Sequence, residues 1–257
     1  MTNRLLLATA VGAVSLTAMS AGSPALAQKM PWSGFYIGGN IGGAWGDTNT
    51  GTVATQAAGS ALIPPVDLAA LNAAPVSSSN KSGFTGGFEG GYNWVSDGFL
   101  LGIETDWGFL DVNQSSTQSA NSALTISPPL VYTVNQHLTT DWIWTLRPRI
   151  GFVTDRWLFY ATGGIAATSV KYSMRYSDTA ATPRTATLEV NDTKSGWTAG
   201  LGGGYALSPE WSLKGEWLYA DFGHIRGSTS TAVGSLSFTS DSGVKANIFR
   251  VGVDYTF

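Results

Sequence analysis

The chain has 257 residues, no cysteine and a formal net charge of −3. The lack of cysteine excludes disulfides and thiolate metal sites, and the mildly acidic balance gives no electrostatic footprint for nucleic acid. Its 32 glycines argue against a helical bundle, while a hydrophobic fraction of 43% supplies ample apolar surface for folding.

The first predicted element is a secretory signal peptide at residues 1–27. Arg4 supplies its positive end, residues 5–18 its apolar run, and residues 25–27 an Ala-Leu-Ala cleavage site. An N-terminal anchor helix is the alternative, but glycine and proline interrupt a run that is already short for a span of roughly 20 residues. We therefore expect one mature domain, a barrel over residues 28–257.

Eight stretches then alternate between large apolar and small or polar side chains, which is the period of a strand with two different faces. In chain order they lie at 34–45, 83–95, 99–111, 137–154, 156–174, 193–207, 211–225 and 246–257. The connections alternate long and short, and we expect loops at 46–82, 112–136, 175–192 and 226–243. One short helix is expected at 66–73, within the first of these loops.

The last stretch shows the two faces most clearly. Phe249, Val251, Val253, Tyr255 and Phe257 alternate with Ile248, Arg250, Gly252, Asp254 and Thr256. A soluble enzyme rarely ends on an exposed aromatic strand, whereas a transmembrane barrel must end on a strand that closes against the first one. The sequence therefore predicts an all-β fold, an eight-stranded antiparallel transmembrane β-barrel with long extracellular loops and short periplasmic turns.

The bulky row of each strand is expected to face lipid. The interior of an eight-stranded barrel is only just wide enough for side chains, so eight aromatic rows do not fit inside it. Exposing those rows to water would forgo roughly 1.5–3 kcal/mol per large apolar side chain, which disfavours a soluble barrel. We expect aromatic girdles formed by Phe35, Trp45, Trp94, Trp107, Trp142, Trp144, Trp157, Trp197, Trp211 and Trp217. The fifth strand departs from this pattern, because Tyr172 falls on the opposite row unless a bulge intervenes.

The opposite rows carry charges that would face the lumen. They are Glu89, Glu104, Asp106, Glu216 and Asp254 against Arg147, Arg149, Lys214 and Arg250. One interpretation is the selectivity lining of a pore, and the other is a network of ion pairs that plugs the barrel. The narrow lumen and the near balance of charge favour the plug. Glu104 and Asp106 are then one side of a cross-strand ladder with the two arginines at 147 and 149, rather than a general acid and base.

No catalytic, cofactor-binding or metal-binding motif is present. His137 and His224 are the two histidines, and nothing gives them the spacing of metal ligands. We therefore predict a protein that is not an enzyme and that holds no cofactor and no metal.

Several stretches also resemble a known family. WSGFYIGGNIGGAWG at 32–46, GFTGGFEGGYNW at 83–94, GWTAGLGGGYAL at 196–207 and the closing FRVGVDYTF are similar to the small outer-membrane β-barrel surface proteins of alphaproteobacteria. These are the 25- to 31-kDa outer-membrane proteins, porin-family barrels related in architecture to outer-membrane protein A. The resemblance spans nearly the whole mature chain.

The resemblance implies an abundant bacterial outer-membrane protein, delivered by periplasmic chaperones and inserted by the barrel-assembly machinery. Such proteins stabilise the envelope, contact outer-membrane lipid and lipopolysaccharide, and display surface loops. Val253, Tyr255 and Phe257 match the family's assembly signal. Some relatives are described as porin-like or haem-binding, but no motif here carries either activity over.

Envelope integrity and surface interaction are therefore the predicted functions. A porin-like channel for small solutes is one alternative. The other is an adhesin or haem receptor that binds host or environmental ligands through the loops at 46–82 and 112–136.

Overall fold

The computed structural model describes residues 32–47, 50–56, 63–74, 76–121, 130–180, 183–231 and 236–257. In chain order the elements are β1 (Gly34–Asp47), β2 (Thr50–Gln56), α1 (Pro65–Ala73), β3 (Val76–Lys81), β4 (Gly83–Ser96), β5 (Phe99–Leu110), β6 (Asn113–Asn121), β7 (Val131–Thr154), β8 (Trp157–Asp178), β9 (Thr185–Ala206), β10 (Trp211–Ser230) and β11 (Leu236–Thr256). The predicted signal peptide at 1–27 lies outside these residues. Within them, no helix is both long and apolar enough to cross a membrane.

Eight of the strands close into an antiparallel ring. The order around the ring is β1, β4, β5, β7, β8, β9, β10, β11 and back to β1. Closure joins the first strand to the last, from Tyr36 opposite Thr256 to Asp47 opposite Lys245. The predicted eight-stranded antiparallel barrel is confirmed.

Three tight turns lie at one end of the barrel, which we call the turn rim. Two of them contain Asp97 and Asp155, each with φ 50°, and Gly98 follows with φ 81°. These positive φ values belong to the primed turns, whose twist matches that of paired strands. The third turn is at 207–210. The longer connections lie at the opposite end, the loop rim, which is the asymmetry of bacterial outer-membrane barrels.

The strands at the loop rim run further than the sequence predicts. The expectation of loops at 112–136, 175–192 and 226–243 is wrong for most of those residues, because β6 to β11 extend into them. Serine and threonine, which suggest loops, instead cover the outer face of a sheet. Neighbouring strands exchange hydrogen bonds there, such as Thr117 Oγ1 to Asn135 Oδ1 at 2.9 Å.

The segment at 46–82 is also more regular than a loop. It contains the predicted helix, observed at Pro65–Ala73, and the two short strands β2 and β3. Strand β2 pairs with the upper part of β11, and β3 pairs with β6. These elements belong to a part of the molecule that we call the extension. It comprises β2, α1, β3 and β6, with residues 131–140, 167–178, 185–196, 222–230 and 236–246 of the long strands.

The inward face of strand β7 is apolar in the extension and polar in the barrel. In the extension Tyr132, Val134 and Leu138 are buried, while Thr133, Asn135 and His137 lie on the outer face. In the barrel Thr145, Arg147 and Arg149 are buried, and Trp142, Trp144 and Ile150 lie outside. The register with β8 shifts between Thr140 and Ile143, which moves the inward row from even to odd residues. The barrel is thus apolar outside, and the extension is apolar inside.

The extension has its own apolar core. Tyr132, Met174, Tyr176, Leu236 and Phe238 are all fully buried there, and the rings of Tyr176 and Phe238 lie 4.6 Å apart. Helix α1 packs against this core through Leu71, which is 2% exposed. Its Asn72 amide bonds both the N–H and the carbonyl of Ala54 on the edge of β2, at 2.8 and 2.9 Å.

Tyr172 explains the irregular pattern of the fifth predicted strand. The pairing of β8 with β9 is unbroken from Trp157 opposite Tyr205 to Ser177 opposite Thr185, so no bulge is needed. Tyr172 is 3% exposed and donates a hydrogen bond to Gln136 Oε1 at 2.9 Å. Its ring lies inside the extension because the row of even residues on β8, which includes Leu158 and Tyr160, faces inward along the whole strand.

Candidate functional site

Eight of the nine charged side chains predicted to face the lumen form one ion-pair network, which we call the lumen network. Its members are Glu89, Glu104, Asp106, Arg147, Arg149, Lys214, Glu216 and Arg250. They come from β4, β5, β7, β10 and β11, and none is more than 6% exposed. Four carboxylates therefore face four cations, and the formal charge of the network is zero.

Glu104 is the most connected carboxylate. It stands directly opposite Arg147 in the β5–β7 pairing, and Arg147 Nη2 lies 2.6 Å from Glu104 Oε1. The other oxygen, Oε2, accepts hydrogen bonds from Arg149 Nη1 and Lys214 Nζ, both at 2.9 Å. Lys214 lies on β10, across the lumen, so Glu104 joins two sides of the ring.

Arg250 and Arg147 join the remaining carboxylates. Arg250 lies 3.1 Å from Asp106 Oδ1 and 2.8 Å from Glu216 Oε2. Arg147 reaches the same two side chains, at 2.9 and 3.1 Å. The predicted ladder is thus present in part, but it is one edge of a network that crosses the lumen. Since Glu104 and Asp106 each contact at least two cations, neither carboxylate is free for proton transfer.

Glu89 and Asp254 differ in their surroundings. Glu89 lies 2.7 Å from Lys214 and accepts a hydrogen bond from Asn40 Nδ2 at 2.9 Å. Asp254, the ninth predicted charge, is 5% exposed and its side chain is hydrogen-bonded to that of Glu89, but no cation lies within 4.0 Å of it among the described residues. Asp254 therefore borders the lumen network without forming an ion pair in it, and its Oδ1 has no hydrogen-bond partner among the described residues.

Neutral polar groups complete the network, and the sequence analysis did not single them out. They are Tyr36 on Glu104, Asn40 on Glu89, Asn93 on Arg149, Thr145 on Asp106 and Tyr160 on Glu216. All lie on the inward rows of their strands, and this position in the alternating sequence is the signal that could have identified them. Arg149 also lies over the rings of Tyr36 and Tyr160, 4.6 and 5.1 Å from their centroids. Such stacking suits the planar guanidinium group.

The lumen is filled on both sides of this network. Towards the loop rim lies the apolar core of the extension. Towards the turn rim, Trp32 packs with Leu100, Leu158, Tyr160 and Ala206. Concavities of about 900 and 810 Å³ lie against the outer apolar rows, whereas a space of only about 10 Å³ lies inside the barrel beside Trp32 and Asp254.

All ten predicted girdle residues lie on the outer face. Trp45, Trp142 and Trp197 stand near the extension, and Phe35, Trp94, Trp157 and Trp211 near the turn rim. Trp107, Trp144 and Trp217 lie at intermediate depth, so the ten residues do not form two simple rings. Trp107 and Trp142 stack with ring centroids 5.3 Å apart, which explains why Trp142 is half-buried.

The three residues matched to an assembly signal line the outer face of β11 at the turn rim. Tyr255 contacts the rings of Trp211 and Phe257, with centroids 5.1 and 5.2 Å away. The backbone N–H of Phe257 donates to the carbonyl of Phe35 at 2.9 Å, while the Phe257 side chain is 63% exposed. The signal residues Val253, Tyr255 and Phe257 therefore present an apolar surface outward.

Both histidines lie on the outer face of the extension. His137 Nδ1 lies 3.0 Å from Ser115 Oγ, and His224 Nδ1 lies 2.5 Å from Asp241 Oδ1. Hydrogen bonds from Arg226 and His224 hold the pKa of the Asp241 carboxyl below its usual value. In the part of the chain that the structure describes, no three histidine, aspartate or glutamate side chains are grouped as a metal site would need.

We compared the sequence and the structure of this chain with those of known proteins. The family model for the outer membrane protein beta-barrel domain matches residues 7–257. The 31 kDa outer-membrane immunogenic proteins of Brucella melitensis biotype 1 and Brucella suis biovar 1 are each 32% identical over 243 residues, covering 93% of this chain and 89% of theirs. The crystal structure of the outer membrane protein OprG from Pseudomonas aeruginosa is similar with a TM-score of 0.50 and 14% identity, covering 89% of this chain and 99% of OprG. The likeness to OprG shows the fold.

Proposed function

The chain belongs to the outer membrane β-barrel family and is integral to the bacterial outer membrane, and we propose that it acts there without catalysis. In this role the barrel stabilises the envelope with a closed lumen, and the extension presents a rigid surface outside the cell.

The filling of the lumen supports a closed barrel. Arg147 and Glu104 are at most 1% exposed, and the interior of an eight-stranded barrel is only just wide enough for side chains. A conducting pore needs charges that exchange partners with passing ions, whereas these side chains bind one another. Separating a buried pair leaves an uncompensated charge, which costs about 3–5 kcal/mol. The network therefore resists opening.

The shape of the extension supports a surface role. Residues 131–140 of β7 continue the barrel wall beyond Trp142, and at a rise of about 3.3 Å per residue with a tilt near 40° they project roughly 25 Å. Their outer side chains are hydroxyls, amides and charges held in register by neighbouring strands. At the base of this surface, Lys171 lies 2.7 Å from Asp141 and both side chains are about half exposed. Polar groups at this height face the phosphates and sugars of lipopolysaccharide.

Binding of host or environmental ligands would use the same surface. The Brucella relatives are named as immunogenic, and this chain's extension is the part that antibodies would reach on whole cells. Removing 46–82 or 112–136 would not test this role, because those segments contain β2, α1 and β6, which the extension needs in order to fold. Substitution of outward side chains such as Arg226, 76% exposed on its side chain, leaves the core intact.

Planar-bilayer conductance of the purified protein tests the closed lumen. We expect no steady single-channel current from the wild type. The double variant Glu104→Ala and Arg147→Ala removes one acid and one base, keeps the network neutral and should raise conductance. Large, steady currents from the wild type would overturn the proposal and favour the porin-like alternative. The variant Asp141→Ala and Lys171→Ala, which removes an exposed pair, is the matched control and should not change conductance.

A further inference from the structure

Trp32 closes the turn rim of the lumen. It precedes β1, is 5% exposed and packs against Leu158 and Tyr160 inside the barrel. Its ring covers Gly204, where an added Cβ would lie 2.6 Å from Trp32 Cη2. Trp32 lies outside the strands, yet its side chain packs inside the barrel between the lumen network and the turn rim. We call this side chain the stopper.

Two buried polar atoms at this stopper have no hydrogen-bond partner among the described residues. One is Trp32 Nε1, and the other is Asp254 Oδ1 on the last strand. Both residues are 5% exposed. Both side chains also line the same enclosed space of about 10 Å³, together with Ser212 and Lys214. An unpaired donor and an unpaired acceptor therefore border one small cavity.

The hydrogen-bonding chemistry of Trp32 Nε1 and Asp254 Oδ1 determines which small molecule or ion could bind between them. An indole nitrogen only donates. The Asp254 side chain is hydrogen-bonded to Glu89, and Oδ1, the oxygen without a partner, accepts both when the carboxyl is ionised and when a shared proton lies on its other oxygen. A cation would satisfy Asp254 but would face the positive end of the Trp32 N–H. A water molecule can accept from the indole N–H and donate to Oδ1 of the Asp254 carboxyl. The cavity has about the volume that one water requires.

We propose that a single buried water molecule bridges Trp32 Nε1 and Asp254 Oδ1. It joins the residue before the first strand to the last strand, next to the seam where β1 closes on β11. Leaving both atoms unpaired would cost each the free energy of its lost hydration, so the bridge holds the stopper in place. This inference goes beyond the closed lumen network, because it gives Asp254 a role in which it forms no ion pair.

NMR of the mature protein in detergent micelles tests the bridge. Trp32→Phe assigns the indole N–H signal of Trp32 by its disappearance. In the wild type we expect a cross-peak between that N–H and a water of long residence time. Asp254→Asn keeps an oxygen acceptor at Oδ1 and should retain the cross-peak, whereas Asp254→Leu should abolish it. Trp211, on the outer face at the same rim, is the control, and its signal should not respond to either substitution.

Four results would overturn the proposal. They are the absence of a water cross-peak in the wild type, its loss in Asp254→Asn, a cross-peak that survives in Asp254→Leu, and a Trp32 signal that shifts with sodium or ammonium concentration, as a bound cation would require. If Asp254→Leu fails to fold, the absence of the cross-peak in the wild type, or its loss in Asp254→Asn, still overturns the proposal. The readout is independent of conductance, so a conducting wild type with the cross-peak present would reject the closed lumen and leave the bridge standing.

Discussion

Arg147 and Glu104 face each other across β7 and β5 with 2.6 Å between Nη2 and Oε1, and both side chains are at most 1% exposed. Lys171 and Asp141 are nearly as close, at 2.7 Å, but their side chains are 54% and 47% exposed. The two ion pairs have similar distances, but the Arg147–Glu104 pair lies in the protein interior and the Lys171–Asp141 pair is exposed to solvent. Burial, rather than geometry, therefore decides what each pair contributes to stability.

We expect Glu104→Gln to destabilise the barrel by about 3–5 kcal/mol, because three buried cations lose their shared carboxylate. Asp141→Asn should cost less than about 1 kcal/mol, since water screens the exposed pair. Urea unfolding in micelles, followed by the gel migration of unheated samples, measures both. Equal losses of stability in the two variants would contradict the assignment of the lumen network to a water-free interior.

Arginine substitutions on the outer face of β8 can locate the border between the barrel and the extension. Ala161 and Ser173 both lie on the outer row of β8. Ala161→Arg should cost about 2–4 kcal/mol, the range for a cation at the middle of the bilayer. Ser173→Arg should change the free energy of unfolding by less than about 0.5 kcal/mol, because that position faces water. Refolding into lipid vesicles at a series of urea concentrations gives both free energies. A similar loss of stability at the two sites would contradict a border between Ala161 and Ser173.

Closure of the barrel depends on Gly42. A Cβ on Gly42 would overlap the carbonyl oxygen of Phe249 on β11, whereas a Cβ on Gly39 would lie 3.7 Å from its nearest neighbour, the carbonyl oxygen of Gly87. We therefore expect Gly42→Ala to cost about 1–3 kcal/mol through overpacking at the β1–β11 seam. Gly39→Ala, on the same strand and the opposite face, should be nearly neutral. Thermal unfolding of unheated and heated samples compares the two, and a neutral Gly42→Ala would mean that the seam is looser than the register requires.

The extension should lose stability at alkaline pH. Burial, and then the neighbouring carboxylate of Asp67, raise the pKa of Tyr132 to about 12. In the unfolded chain a tyrosine has a pKa near 10. The folded state therefore holds the proton more tightly, and its contribution is complete below pH 10 and is lost as the pH rises towards 12. Tyr132→Phe should flatten this part of the stability profile. Phenolate absorbance and unfolding, followed together from pH 9 to 12, test it, and an unchanged profile in Tyr132→Phe would remove Tyr132 as the cause.

The end of β11 provides a test of assembly rather than stability. Phe257 is 63% exposed and its backbone N–H is bonded to Phe35. If the apolar side chain is read by the barrel-assembly machinery, Phe257→Ser should lower the amount inserted in cells several-fold while refolding in micelles stays normal. Phe35→Ser, at the same rim, is the control and should insert normally. Equal insertion of the two variants would exclude a special role for the last residue.

The sequence by itself determined which row of each barrel strand faces outward. Eight rows of large side chains such as Phe88 and Trp107 do not fit inside an eight-stranded lumen, and exposing them to water would forgo the free energy of their burial. The nine inward charges follow from the same period of two, and the short turns are predicted from turn-forming residues such as Asp97 and Gly98 between the strands. These inferences needed only side-chain volume and hydrophobicity, the pleat of a strand and the turn-forming residues.

Only the tertiary structure decided where the apolar belt ends and which charges meet. Thr133 and Asn135 suggest a loop when read alone, but they cover a sheet whose other face buries Tyr132 and Val134. Lys214 reaches Glu104, 110 positions earlier in the chain, because ring closure brings β10 across from β5. The period of a strand sets the direction of each side chain, whereas the partner that a side chain meets and the solvent it faces depend on the stagger of all eight strands around the ring.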